Sequence, residues 1–349
     1  MDRVLRVVVV DDSAYVRKVV REILSRSPFV EVVGTARDGR EALDLVEQLD
    51  PDVVTCDLIM PELDGVGFVR EQMRRRPVPI IIMSVAKETA EAALDALDAG
   101  AIDFVQKPTA LASEKIFEVS AELIEKVKAA GKIALNRIPT SMPQASTAVR
   151  EPALKVPGSH TVDLVVIGIS TGGPQALKRL IPELPEDFPT PVVMVMHMPV
   201  GYTEMYAAKL NELSRLEVRE AAEGDEVKPG RVFLAPAGRH LTFRREASGK
   251  VVTHLDAKPF DSLHKPSVDV LFKSAADVYG NRVLGVVMTG MGSDGKQGAA
   301  WIKSQGGLIF TEAESSCVVY GMPCTVMEAG LSDKSVDLED MAHAMREVV

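Results

Sequence analysis

Ser170 closes the apolar run of VVIGISTGGP, residues 165–174, and glycines follow it at once. A hydroxyl in that setting can attack a carbonyl, sit beside amides that cradle a phosphate, or simply form a turn. The stretch does not fit GxGxxG and no GK[ST] follows, so the phosphate reading lacks its spacing. Gly168, Ser170 and Gly172 do fit GxSxG, which lifts a serine at a strand-to-helix turn. Attack needs a base to take the hydroxyl proton and an acid to orient that base. Among the six histidines, His197 ends the apolar run PVVMVMH and is halted by Pro199, which places it on the same sheet edge as Ser170. His240, opening a hairpin, and His264, in the loop HKPS, remain candidates, whereas His160, His254 and His343 are expected in solvated positions. The same strand-end test selects Asp294, in the loop GMGSDGK after VLGVVMTG, over Asp225, Asp256, Asp261 and Asp269. Amides around Thr171 and Met291 are candidates for an oxyanion hole, and Gly290, Gly292 and Gly295 leave the backbone free to turn toward it.

A second set of polar residues lies near the N-terminus. Asp11 and Asp12 end one apolar run, Asp57 a second, Ser84 a third, and Lys107, followed by Pro108, a fourth. Carboxylates brought together repel one another unless a hard cation joins them, and Mg²⁺ favours a few carboxylates with its other positions left to water and phosphate oxygens. Ser84 and Lys107 then supply a hydroxyl and a cation to an incoming phosphoryl group.

The elements that must position these residues follow from the hydrophobic rhythm. From residue 5 onward, LRVVVV, VEVVGTA, DVVTCDL, PIIIMS and IDFVQ alternate with helical patterns and end in an amphipathic segment from about Glu114 to Lys128. That is the pattern of a five-stranded parallel sheet with crossover helices, a flavodoxin-like domain. Between about Ala129 and His160 the rhythm fails, with Pro139, Pro143, Pro152 and Pro157 among small polar residues, and the segment reads as a linker. Beyond it, VDLVVIGIS, PVVMVMHM, RVFLAP, RVLGVVMTG and GLIFTEA predict a second doubly wound, mostly parallel α/β domain, with HLTFRREASGKVVTHL as an antiparallel hairpin. The expected division is 1–125, a linker over 126–160, and 161–349. The serine, histidine and aspartate come in an order unlike that of α/β-hydrolases, so GxSxG is no evidence of that fold.

A chain of 349 residues with 46% hydrophobic content accommodates two cores. A formal net charge of −10 excludes nucleic acid as a main partner, and the arginines at 74–76 read as a solvated helix end. Cys56, Cys317 and Cys324 follow no metal spacing and suit a reducing, cytoplasmic setting, Cys317 and Cys324 as small buried hydrophobes. No apolar run reaches the ~18 residues of a membrane span, and the N-terminus turns acidic too early for a signal peptide. Met194, Met196, Met198, Met288, Met291 and Met322 read mostly as core filler.

DDS at 11–13, DLIMPELDG at 57–65 and KP at 107–108 resemble the receiver domain of two-component response regulators. That resemblance implies phosphate transfer from a chemotaxis histidine kinase to Asp57, Mg²⁺ held by Asp11, Asp12 and Asp57, and a rotating aromatic at Phe104. GISTGGP, VMHMP, HKPSVDVLF, TGMGSDG and SSCVVYGMP together resemble the catalytic domain of the chemotaxis protein-glutamate methylesterases, the CheB family. The family hydrolyses glutamyl methyl esters on chemoreceptor helices, releasing methanol, and many members deamidate receptor glutamines. The resemblance implies a triad of Ser170, His197 and Asp294, auxiliary positions at Thr171 and Met291, and no cofactor for the ester reaction. It also suggests that the unphosphorylated receiver restrains the hydrolase until Asp57 is phosphorylated. The competing reading is a response regulator whose output domain is a non-catalytic nucleotide-binding module or scaffold.

Overall fold

A computed structural model describes residues 3–84, 90–107, 115–133, 162–259 and 262–349. The chain divides into two compact units, Met1–Ala145 and Ser146–Val349. The proline-bearing segment expected as a linker lies from residue 134 to 161 outside the described residues, as do Pro108, His160 and Asp261.

The first unit runs β1 (Leu5–Val10), α1 (Ala14–Leu24), β2 (Val30–Ala36), α2 (Gly39–Leu49), β3 (Val53–Asp57), α3 (Gly65–Arg75), β4 (Ile80–Ser84), α4 (Ala90–Asp98), β5 (Asp103–Gln106) and α5 (Lys115–Ala130). Its strands form one parallel sheet in the order β2-β1-β3-β4-β5. Strands β3 and β4 are buried along their whole length, because helices cover both faces; hence their unbroken Val/Ile runs. Helices start where Ser13, Asp38 and Asp64 accept the first free N–H groups. The last helix continues through Ala130, beyond residue 125. Arg74 and Arg75 pair with Glu71, and Arg76 with Asp50, on the solvated end of α3.

The second unit contains β6 (Leu164–Ile169), α6 (Gly173–Glu183), β7 (Val192–Met196), α7 (Thr203–Leu213), β8 (Glu217–Glu220), β9 (Arg231–Leu234), β10 (His240–Arg245), β11 (Val251–Asp256), α8 (Val268–Tyr279), β12 (Val283–Val287), α9 (Lys296–Ser304), β13 (Leu308–Glu312), α10 (Met322–Glu328), β14 (Lys334–Val336) and α11 (Leu338–Arg346). The seven-stranded sheet is parallel throughout, in the order β14-β13-β12-β6-β7-β9-β8. Among the described residues, β10 and β11 pair antiparallel as a separate two-stranded sheet, and an isolated antiparallel bridge joins Glu226 to Val252. The chain winds from β6 outward through β7 to β9, then returns to β12 on the other side of β6. Such a reversal opens a crevice at the strand carboxyl ends.

Helix α8 lies close against β6. A Cβ at Gly168 would stand 2.2 Å from Val268 Cγ1, so the helix approaches only because position 168 has no side chain. Gly168→Ala forces strand and helix apart and is expected to cost about 2 kcal/mol, the scale of overpacking a tight core. Chemical denaturation of the full chain checks this, and an unchanged midpoint for the transition reported by Trp301 would contradict it.

Candidate active site

Ser170 follows β6 directly. Its N–H donates to the Thr289 carbonyl at 3.0 Å, and its own carbonyl accepts from Gly173 N–H at 2.7 Å. Gly172 turns the chain into α6 with φ of +81°, and a Cβ there would fall 2.6 Å from Val318 Cβ, so space and backbone both require glycine. Pro174 occupies the first turn of α6, whose buried face is Ala176, Leu177, Leu180 and Ile181, as the sequence predicts. His197 follows the neighbouring strand β7, and its N–H donates to Ile169 O at 3.2 Å. The two residues therefore leave paired strands side by side.

Asp294 comes from the loop between β12 and α9, on the far side of β6. Its Oδ2 accepts from His197 Nε2 at 2.8 Å and from Val268 N–H at 2.8 Å. Its Oδ1 accepts from Ser267 Oγ and Asp269 N–H, both at 2.9 Å. The carboxylate thus rests on the N-terminus of α8, where Ser267 is the N-cap. Burial alone would raise its pKa, but the His197 hydrogen bond and charge, with the Asp269 and Val268 amides, hold it well below the usual range. An ionised carboxylate only accepts, so Nε2 carries a hydrogen toward it, and in the neutral ring the lone pair lies on Nδ1. That Nδ1 is buried and has no hydrogen-bond partner among the described residues. The ring faces the opposite way from the familiar serine triad, in which Nδ1 meets the aspartate and Nε2 the serine.

The other histidines separate cleanly. His240 is fully buried, with Nδ1 accepting from Ser267 N–H and Nε2 bonded to the Pro259 carbonyl, each at 3.2 Å. Both nitrogens are engaged, and burial pushes its pKa down despite the Pro259 carbonyl, so it stays neutral and structural. His254 pairs with Glu223 on the hairpin, and His343 sits half-exposed on α11. His264 stacks on the His197 ring, centroids 4.0 Å apart and planes at 19°.

The site contains residues that strand-end reasoning did not find. Asp269, set aside for want of a strand end, accepts Gly295 and Gly298 N–H at 2.9 and 2.7 Å beside Asp294. Burial pushes its carboxyl up to about 6, the two glycine amides opposing and the Asp294 charge reinforcing the rise. Behind Ser170, Thr289 Oγ1 donates to the Thr171 carbonyl at 2.9 Å, and Thr289 N–H donates to Glu312 at 2.8 Å. Glu312 has no exposed surface, and burial raises its pKa. Thr171 is buried, while the Met291 N–H has no acceptor among the described residues. Met194, Met196, Met198, Met288 and Met322 are core, and Cys317 is buried. Cys324 is partly exposed, contrary to the sequence expectation, because it sits on α10 between buried Pro323 and Val326 without joining that face.

In the first unit, Asp11 and Asp57 are buried at the ends of β1 and β3, the strands that flank its own switch point. Lys107 Nζ lies 2.8 Å from Asp11 Oδ2 and 2.7 Å from Asp57 Oδ2. Burial raises the Asp11 pKa against the opposing pull of Lys107. Asp57 Oδ1 accepts Leu58 N–H at 2.6 Å. Exposed Asp12 joins them, and the three residues can offer oxygens within 4.8 Å of one another. An all-carboxylate, hard-oxygen set of this size fits a divalent cation. Ser84 is buried at the end of β4, and its carbonyl accepts from Lys107 N–H. Phe104 is buried in β5.

Fold and sites together define a receiver-type unit joined in one chain to an α/β unit of the hydrolase class. The family model described as response regulator receiver domain matches residues 7–118, and that described as CheB methylesterase matches residues 165–345. The chain belongs to the CheB protein-glutamate methylesterase family. It is 49% identical to protein-glutamate methylesterase/protein-glutamine glutaminase 5 of Myxococcus xanthus, over 98% of this chain and 97% of that one. It is 44% identical to the protein of that name from Symbiobacterium thermophilum, over 100% and 98%. Its second unit is similar to the crystal structure of the Thermotoga maritima CheB methylesterase catalytic domain, with a TM-score of 0.53 and 41% identity, covering 54% of this chain and all of that one.

Asp269 generates a pH prediction. Its raised pKa means that the folded state holds a proton which the unfolded chain releases near 3.8. The associated stability is complete below that value and is lost as pH rises through about 6. Asp269→Asn keeps an oxygen for the glycine amides without the charge, so wild type should lose urea resistance relative to the variant between pH 5 and 7. A difference that stays constant across that interval would rule out this assignment.

Proposed function

We propose that the chain hydrolyses glutamyl methyl esters on methyl-accepting chemotaxis receptors, releasing methanol, and also deamidates receptor glutamines. The observation that carries this reading is the buried Nδ1 of His197, without a hydrogen-bond partner among the described residues, whose opposite nitrogen is held by ionised Asp294, one strand away from Ser170. As Ser170 Oγ bonds to the ester carbonyl carbon, its proton passes to His197 Nδ1. The imidazolium so formed is balanced by Asp294 through Nε2–H. Negative charge gathers on the carbonyl oxygen, where the Met291 amide and the turn at Thr171 are the candidate donors, each worth roughly 3 kcal/mol in such sites. Collapse breaks the C–O bond to methoxide, which takes the proton from Nδ1 and leaves as methanol. Water, deprotonated by the same nitrogen, then attacks the acyl-serine, and Ser170 recovers its proton as glutamate departs. With a glutamine the leaving group is ammonia, and the residues act identically.

The receiver reading rests on the carboxylate set and Lys107. Asp57 is the phosphoacceptor for a chemotaxis histidine kinase. Asp11, Asp12 and Asp57 hold Mg²⁺, which when bound neutralises phosphoryl oxygens, while Lys107 and Ser84 meet the transferred group. Residues 1–125 form the receiver, 126–160 the linker and 161–349 the hydrolase, and phosphorylation of Asp57 raises hydrolase activity. The protein acts in the cytoplasm; among the described residues no helix is long and apolar enough to cross a membrane.

The test is methanol release from methylated receptor membranes, with and without a small phosphodonor. Ser170→Ala should lower the rate by about six orders of magnitude. Asp57→Asn should keep the basal rate and lose the response to phosphodonor. A Ser170→Ala protein as active as wild type would leave only the scaffold or nucleotide-binding output.

A further inference from the structure

We infer that His264 is a positioning residue for His197, acting through the face of its ring; the inference deepens the esterase reading and rests on it. One edge of the His197 ring is anchored at Nε2, and the other, Nδ1, is buried without a hydrogen-bond partner among the described residues. A single hydrogen bond leaves the ring a hinge, because the torsion between Cβ and an aromatic ring has a broad energy well. Rocking about that hinge swings Nδ1 across the direction from which the serine proton arrives. The His264 ring lies flat on the His197 ring at 4.0 Å, which is van der Waals contact over a whole face, and blocks that motion.

The placement of His264 ties it to the acid as well. Within six residues the chain supplies the stacked ring of His264, the hydroxyl of Ser267, and the Val268 and Asp269 amides that hold Asp294. His240 fixes this segment from beneath by accepting Ser267 N–H. Base and acid are therefore registered to one another by a single rigid run rather than by two independent loops. The stack is at the rim, not in the core: His264 is half-buried, and its neighbour Leu263 is 89% exposed. Core packing does not require a ring there, whereas holding a base at the mouth of a crevice does. An aromatic face also accommodates the positive charge that His197 gains on taking the proton.

The experiment compares wild type, His264→Ala, His264→Phe and Ser170→Ala full-length proteins by kcat and KM for methanol release, with thermal melts of each. His264→Ala should lower kcat by about 10- to 100-fold with KM within about twofold, the penalty of a misaligned catalytic group. His264→Phe keeps the face without the nitrogens and should stay within about fivefold of wild type. A kcat for His264→Ala within twofold of wild type, a loss confined to KM, or a folded His264→Phe as slow as His264→Ala would each overturn the inference. Wild type no faster than Ser170→Ala would instead overturn the esterase reading. The stack is then read from fluorophosphonate labelling of Ser170, which should slow for His264→Ala and not for His264→Phe.

Discussion

A carboxylate removed from water must be given back the hydrogen bonds it lost, and Asp294 receives four. Three come from the N-terminus of α8 and one from His197, so the requirement of a single buried charge ties together the β12–α9 loop, the segment leading into α8 and the end of β7. The helix terminus has N–H groups in need of acceptors, and the carboxylate has lone pairs in need of donors. Each satisfies the other, and the imidazole is held in one tautomer as a result. Asp269 adds a second carboxyl to the same small volume, where burial, reinforced by the charge on Asp294, pushes it up to about 6.

Both units place their chemistry beyond the carboxyl ends of a parallel sheet at the point where the winding reverses, yet they do so with opposite electrostatics. At the end of β1 and β3 the protein gathers carboxylates around one ammonium, an arrangement that invites a cation and a phosphoryl group. At the end of β6 and β7 it gathers a hydroxyl and an imidazole beside the Asp294 carboxylate, with no cluster of cations among the described residues, which suits an uncharged ester or amide. The topology offers the crevice, and the side chains at the strand ends decide which substrate charge it receives.

The buried strands were legible because parallel strands covered on both faces must be apolar throughout, and the strand-end rule then selected Ser170, His197, Asp294, Asp57 and Lys107. The edge strands β8 and β14 were not legible. Glu217–Glu220 and Lys334–Val336 are short, charged and half-exposed, each pairing on one side only, so no hydrophobic rhythm marks them. Ser267 has the pattern of an N-cap, but a cap's second partner 27 residues away leaves no local trace. Asp269 lies at the start of α8 rather than at a strand end, Glu312 ends β13 but meets the site only through Thr289, and His264 acts through its face. Each relation exists only after the loops close.

The order Ser170, His197, Asp294 along this chain follows from strand placement. His197 follows β7, on one side of β6, and Asp294 comes from the loop after β12 on the other, so Asp294 must reach over the end of β6. Helix α8 makes that reach feasible because it passes directly over β6, and it can do so only where Gly168 leaves room for Val268. The first glycine of GxSxG therefore has a reason here that the motif alone does not supply. It admits the helix whose N-terminus holds the acid, while Gly172 makes the turn that presents the hydroxyl.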